Sequence, residues 1–228
     1  MNACWIYCRS QRLNIGKVKP DRGTGVLHIA ADSGIEAARA LGVVPDVWVG
    51  DFDSSDAGAY GGAYAGVERI TFPARKDKTD FALACEYAAA RGCRNAIVVG
   101  GLDGRLDHTL ACVFHLEAMR ELGLRGTITN GYNRVSLLTA GERAEVGGEY
   151  KYVSLIPLRP LITGVYMEGF EYPLDDAEVT MRGCVSVSNQ VVPGKTGIVA
   201  IGTGAALLVE CDEQWGRPCV AARNAGGY

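Results

Sequence analysis

At 228 residues, with 48% hydrophobic and 21% charged content and a formal net charge of −3, the chain has the composition of a globular protein long enough to bury a sizeable core, as one large domain or two small ones. Its 23 basic residues are scattered rather than striped, which argues against a nucleic-acid or anionic-membrane surface. No apolar run approaches the ~20 residues of a spanning helix, and the start lacks a charged segment leading into an apolar signal core, so a cytoplasmic location is expected.

Cys4 to Cys8 reads as a first strand, followed by a polar, basic and pattern-free loop from Arg9 to Gly25. Val26 to Ala31 is a buried strand ending at Asp32. Ser33 and Glu36 have the spacing of a capping box, which predicts a helix running to Leu41 and stopping at Gly42. Asp32 thus falls at a strand-to-helix turn, where open α/β sheets bind ligands, or else serves the helix N-terminus electrostatically. A third apolar strand ends at Gly50 and runs into Asp51-Phe52-Asp53. Residues i and i+2 of an extended chain project to the same side, so Asp51 and Asp53 face the same space. Two carboxylates about 4 Å apart repel by about 4 kcal/mol at a protein-surface dielectric, so a convergent pair favours a cation between them. Oxygen ligands point to Mg²⁺ or Ca²⁺; a solvated acidic turn is the alternative for so short a motif.

Glu68 to Phe72 is another short strand, closed by Pro73. The run Arg75-Lys76-Asp77-Lys78-Thr79-Asp80 then opens a helix with Phe81, Leu83, Ala84, Tyr87 and Ala88 on its apolar face and a stop at Gly92. Cations and carboxylates interleaved at a helix N-terminus suit an anion or a further metal ligand; a solvated cap is the plainer reading. Strand, loop and helix repeat: Ala96 to Val99, Gly100 to Arg105, then a helix from Leu106 with Leu110, Val113, Phe114 and Met119 apolar, stopping at Gly123. Glycines there allow backbone approach to a ligand, and Arg105 offers a forked donor suited to phosphate. Asp107 and His108 occupy the first turn, and His115 reads as a packing residue. Strands near residues 126–129 and 135–138 finish this half, and the alternation implies a parallel sheet with right-handed crossovers.

After Gly141 the texture changes to short, alternating runs rich in Val, Ile, Thr and Tyr: Tyr150 to Pro157, Gly164 to Tyr172, Ala177 to Val187, Gly197 to Ile201 and Ala205 to Cys211. Such spacing predicts a β-sandwich or barrel-like unit. The expectation is an N-terminal Rossmann-like α/β domain over 1–140 followed by an all-β sandwich domain over 141–228. The eight cysteines contain no Cys-x-x-Cys pair and read as reduced core residues.

Asp32, Asp51 and Asp53, the 76–80 run and the 100–108 loop all fall at the carboxyl edge of such a sheet, so they converge. Acids for Mg²⁺, a Lys and an Arg for phosphate oxygens and glycines for backbone approach are what phosphoryl-type transfer needs. The P-loop signature Gly-x-x-x-x-Gly-Lys-Ser/Thr is absent.

Gly50-Asp51-Phe52-Asp53-Ser54, Lys76-Asp77-Lys78-Thr79-Asp80 and Gly100-Gly101-x-x-Gly104-Arg105-x-Asp107-His108, followed by a β-domain, resemble the thiamine pyrophosphokinase family over roughly residues 26 to 210. That resemblance implies transfer of the pyrophosphoryl group of ATP to the hydroxyethyl oxygen of thiamine, in a homodimer whose sites lie between the α/β domain of one subunit and the β-domain of the other. It implies that Asp51, Asp53 and Asp80 hold Mg²⁺ with Asp77 assisting, that Lys76, Thr79 and Arg105 contact ATP with Asp32 and His108 in the same binding region, and that Asp107 accepts the thiamine proton. Ser186 and Ser188, in Ser-Val-Ser-Asn, would contact thiamine. Two departures stand out: no aromatic follows Asn189, and the loop after the first strand is longer and more basic than the family's short glycine-containing turn.

Asp51-Phe52-Asp53 also matches the metal signature of nucleotide-sugar glycosyltransferases, which assigns no work to the second acidic cluster. An aspartyl-phosphate hydrolase would use Asp51 as nucleophile. A non-catalytic nucleotide or thiamine sensor is the alternative outside enzymology.

Overall fold

Apolar runs of four to six residues bounded by glycine or polar turns form strands that are covered on both faces, the setting in which a parallel sheet is stable. The computed structural model describes residues 2–51, 62–71 and 78–213. The strands β1 (Ala3–Tyr7), β2 (Val26–Ala31), β3 (Val47–Gly50), β4 (Glu68–Thr71), β5 (Asn95–Val99) and β6 (Arg125–Thr129) pair in parallel in the order β4-β3-β2-β1-β5-β6. Helix α1 (Ile35–Ala40) joins β2 to β3, α2 (Asp80–Ala90) precedes β5, and α3 (Leu106–Glu121) joins β5 to β6. Helices α2 and α3 cover one face, where Phe81, Cys85, Leu116 and Met119 meet Ile6, Ile29 and Ile128. Helix α1 and the loop after β1 cover the other, with Ala37, Ala38 and Val18 against Tyr7 and Val99.

Strand β7 (Asn133–Thr139) turns antiparallel to β6, and β8 (Arg143–Val146), β9 (Tyr152–Pro157), β10 (Leu161–Glu168), β11 (Leu174–Thr180), β12 (Gly197–Ala200) and β13 (Ala205–Cys211) follow. Strand β13 inserts between β7 and β9, so among the described residues one mixed sheet of nine strands continues to β9 and a second, antiparallel sheet has the order β11-β10-β12-β8. Leu138, Leu155 and Leu208 of the large sheet pack on Ile162, Val165, Met167 and Val199 of the small one. Each such fully buried side chain is worth about 1.5–3 kcal/mol.

Two ionic joints fasten β7 and the turn after it to their neighbours. Arg134 and Glu210, register partners on β7 and β13, meet through two bonds, Nε to Oε1 at 2.7 Å and Nη2 to Oε2 at 2.6 Å, with Glu210 buried. Glu142, in the β7–β8 turn, pairs with Arg120 at the end of α3, accepts from Arg125 Nη2 at 2.7 Å and from the Thr139 amide at 2.9 Å.

Several local expectations change. The Ser33–Glu36 capping box does not form: residues Asp32–Gly34 make a tight 3₁₀ turn, and α1 starts from Gly34 without a side-chain cap. A Cβ on Gly34 would stand 1.9 Å from the Tyr7 carbonyl oxygen, so the turn is pressed against the end of β1, and this close approach overrides the cap. On α3, Leu116 and Met119 are buried while the predicted Leu110 and Phe114 are exposed. The strand predicted from Ala177 stops at Thr180, and the polar strand β8 had no sequence signal. Cys4, Cys8, Cys85 and Cys93 are buried free thiols, and Cys219 lies outside the described residues. No described helix is long and apolar enough to cross a membrane.

Candidate active site

The strand order reverses beside β1, because β2 lies on one side of it and β5 on the other; in open α/β sheets a crevice forms at the carboxyl ends of strands at this point. A cavity of about 500 Å³ is found there. Its walls come from four segments that end or follow a strand: Cys8, Arg9 and Gln11 after β1; Asp32 and Ser33 after β2; Thr79, Asp80 and Phe81 opening α2; and the 101–105 loop with His108, Cys112 and His115 of α3.

Each wall has a local cause. Asp32 adopts a positive φ of 47°, which Asp tolerates better than most residues, and its carbonyl accepts the indole N–H of fully buried Trp48 at 2.8 Å. Gly50 stands beside it: a Cβ there would lie 3.4 Å from Asp32 Cα. Strand end β3, carrying Asp51, is thereby held against the turn that carries Asp32. Thr79 is the N-cap of α2, its Oγ1 accepting from the Ala82 amide at 3.2 Å, which leaves the hydroxyl hydrogen as a donor. Asp80 follows as the first residue of that helix and is half-buried. Gly100, Gly101 and Gly104 all have positive φ (92°, 73° and 85°), and a Cβ on Gly100 would meet the Cys8 carbonyl oxygen at 2.5 Å.

Arg105, the N-cap of α3, lines the cavity and forms a two-point ion pair with Asp107. The Arg105 hydrogen bond holds the Asp107 carboxyl below the ordinary carboxylate range, and both groups are exposed. His108 lines the cavity. His115, read from the sequence as packing, also reaches it; its ring meets Phe81 edge-on at 5.1 Å, and burial lowers its pKa, so the imidazole is neutral at physiological pH. Burial pushes the thiol of Cys112 up to about 11, so it lines the cavity as a neutral group.

The structure therefore gathers Asp32, Thr79, Asp80, Arg105 and His108 around one cavity. Asp51 directly follows β3, the strand next to the one that leads into Asp32, and is half-buried, whereas Asp53, Lys76 and Asp77 lie outside the described residues. Among the described residues no three His, Cys, Asp or Glu side chains cluster closely enough to hold a metal ion. Of the expected metal ligands, Asp80 lines the cavity and Asp51 directly follows β3; both offer carboxylate oxygen, a donor suited to a hard divalent cation. Ser186 and Ser188 stand on the β11–β12 connection, away from this cavity in their own chain. The buried Ser186 hydroxyl donates to the Leu155 carbonyl at 2.7 Å; exposed Ser188, at φ 60°, donates its amide to Ser154 Oγ at 2.9 Å. Sequence reasoning missed Arg9 and Gln11, whose only signal was a polar stretch with no periodicity, and passed over Asp103 within the glycine loop it singled out.

Two family models match the chain in succession. The thiamin pyrophosphokinase catalytic domain matches residues 24–127, and the thiamin pyrophosphokinase vitamin B1 binding domain matches residues 142–206. The chain belongs to the thiamine pyrophosphokinase family. The thiamine pyrophosphokinase of Bacillus subtilis is 25% identical over 185 residues, covering 80% of this chain and 86% of its own. The fold agrees with that of solved family members. The crystal structure of the Bacillus subtilis protein superposes with a TM-score of 0.80 at 20% identity, covering 93% of this chain and 100% of that one. The thiamin pyrophosphokinase of Candida albicans gives a TM-score of 0.70 at 19% identity, covering 92% and 89%.

Proposed function

We propose that this chain transfers the pyrophosphoryl group of ATP to the hydroxyethyl oxygen of thiamine, giving thiamine diphosphate and AMP. The observation that carries this is the succession of the two family models, catalytic then B1-binding, on a chain whose cavity sits where the strand order reverses. The cavity brings a guanidinium, a helix N-terminus and carboxylates to one place, which suits a polyphosphate and its counter-ion.

Arg105 and the Thr79 hydroxyl would contact the ATP phosphates together with Lys76, while Asp32 and His108 would border the nucleotide. Asp51, Asp53 and Asp80, assisted by Asp77, would hold Mg²⁺. Bound there, the ion would neutralise phosphate charge and orient the chain of phosphates. Attack falls on the β-phosphorus, with Asp107 accepting the hydroxyl proton and AMP leaving on the opposite side, so positioning supplies much of the acceleration. Thiamine would be met by Ser186 and Ser188 of a partner subunit. Support for such a homodimer comes from exposed apolar residues on both surfaces it would join. Leu106, Leu110 and Phe114 on α3 are 71%, 43% and 52% exposed, and Val185 and Val187 flank Ser186 at 64% and 45%. We further read residues 1–140 as a Rossmann-like catalytic unit and 141–228 as a β-sandwich thiamine-binding unit, with β9 and β13 lent to the central sheet, in a cytoplasmic enzyme.

Incubation with Mg-ATP, with and without thiamine, tests the reading. Thiamine-dependent AMP is expected. AMP release indifferent to thiamine, or a covalent phosphoenzyme, would sink it in favour of a hydrolase, and nucleotide binding without turnover would leave a sensor.

A further inference from the structure

The loop after β5 and the strap after β1 are 91 to 93 positions apart in sequence, yet one side chain fastens them. Asp103 Oδ2 accepts from Ser10 Oγ at 2.6 Å and from the Arg12 amide at 3.1 Å, and its Oδ1 accepts from the Gln11 amide at 2.8 Å. The contact continues a short zipper in which the Cys8 amide donates to the Val99 carbonyl at 2.8 Å and the Gly101 amide to the Arg9 carbonyl at 3.0 Å. Successive backbone amides with a hydroxyl beside them form a concave anion nest, the device with which glycine-rich loops hold phosphate. Here the nest is filled by the chain's own carboxylate, so those amides are not available to a ligand. Anion recognition by the strap then rests on its side chains, and Arg9 and Gln11 both line the cavity. Gln11 is seated by the same arrangement: its carboxamide lies 3.6 Å from where a Gly104 Cβ would stand, and it makes no hydrogen bond among the described residues.

A carboxylate beside a polyphosphate cavity works against anion binding through like-charge repulsion. Its presence is explained if the three charge-assisted bonds it accepts do more for the wall than its charge does against the ligand. Resting on the phosphoryl-transfer reading above, we propose that Asp103 is a positioning residue that clamps the 10–12 strap so that Arg9 and Gln11 serve as additional contacts to the nucleoside triphosphate. Arg9 supplies a second forked cation besides Arg105, and Gln11 a neutral donor and acceptor. The start of the basic stretch after β1 thereby gains a role in this chain.

The test compares Asp103→Ala, Arg9→Ala and the double variant by calorimetric titration with a magnesium-bound, non-hydrolysable ATP analogue and by steady-state kinetics. Each single change is expected to raise the nucleotide Kd and KM about tenfold, with kcat and the thiamine KM within about threefold. The double variant should bind about as weakly as Arg9→Ala alone, because Asp103 acts through the segment that Arg9 occupies. Ser10→Ala, which removes one of the three bonds and is mild for folding, should show a smaller loss in the same direction. Unchanged or tighter nucleotide binding in Asp103→Ala or Ser10→Ala overturns the proposal, the tighter case meaning that Asp103 merely occupies a phosphate nest. Losses that multiply in the double variant, or that strike thiamine equally, overturn it as well. A wild-type chain that binds the analogue but forms no thiamine-dependent AMP defeats the function proposed above while the binding comparison still decides this one; a chain that binds no nucleotide defeats both.

Discussion

Arg105 and Asp107 hold each other at the start of α3, with Nε to Oδ1 at 3.1 Å and Nη2 to Oδ2 at 2.5 Å. While the pair is intact, the guanidinium keeps Asp107 a weaker base than a free carboxylate. A phosphate that draws Arg105 toward the cavity returns basicity to Asp107. The roles proposed for the two residues are therefore linked: a nucleotide that engages Arg105 would also free the carboxylate proposed as proton acceptor.

Arg105→Lys keeps the charge and loses the fork. It is expected to lower kcat/KM for ATP by about 10- to 100-fold while the melting temperature stays within about 2 °C, since the pair is exposed. An AMP assay beside a thermal melt checks both, and unchanged kinetics would remove Arg105 from the site.

Asp51→Asn, Asp53→Asn and Asp80→Asn should each cut turnover by about 100-fold or more, with melting temperatures held or raised. A carboxylate whose task is to hold the cation contributes to the loaded site rather than to the empty fold. Retained activity with a melting temperature lowered by about 5 °C or more would instead assign a structural role.

Much of this was legible locally. Val26–Ala31, Val47–Gly50 and Asn95–Val99 announced themselves as short apolar runs, and Gly92 and Gly123 marked the ends of their helices, because burial and φ > 0 are properties a single segment expresses. What stayed hidden depends on distant partners. Nothing in Ala205–Cys211 says that it pairs with β7 rather than with β12, and Asp103 in isolation is one more loop carboxylate. Ser33 looked like a cap until the backbone of β1 proved to leave room only for a tight turn at Gly34. The exposed Leu110 and Phe114 looked like core for the same reason: periodicity cannot tell which apolar stripe faces inward.

Glu210→Ala should destabilise the chain by about 1.5–3 kcal/mol, because it takes the two-point bond from the half-buried Arg134 guanidinium and leaves it the more exposed Glu149 and the Tyr150 ring. The double replacement Arg134→Met with Glu210→Leu should recover most of that loss. Urea denaturation of the two variants measures the difference, and equal losses would mean that packing, not charge, decides this joint.

Burial works to raise the Glu142 carboxyl, but its bonds from Arg120 and Thr139 prevail and hold it below the ordinary range. A carboxyl whose folded pKa is depressed contributes stability above its unfolded pKa, about 4.3, and that contribution is lost as pH falls through the lower folded value. Glu142→Gln should therefore cost about 1–3 kcal/mol at pH 7 and show a shallower loss of stability below pH about 4 than wild type. Denaturant titrations across pH 3–7 read the effect; parallel curves would dismiss it.

Because Ala205 is the register partner of Thr139, the rim of the central sheet cannot be closed until synthesis has passed β13. At about 5–20 residues per second, β7 waits several seconds with its outer amides and carbonyls unclaimed, a standing invitation to a neighbouring nascent chain. Yield in a cell should thus respond to translation speed and chaperone supply more sharply than the finished molecule's stability would suggest, and a truncation before β13 should be recovered as aggregate.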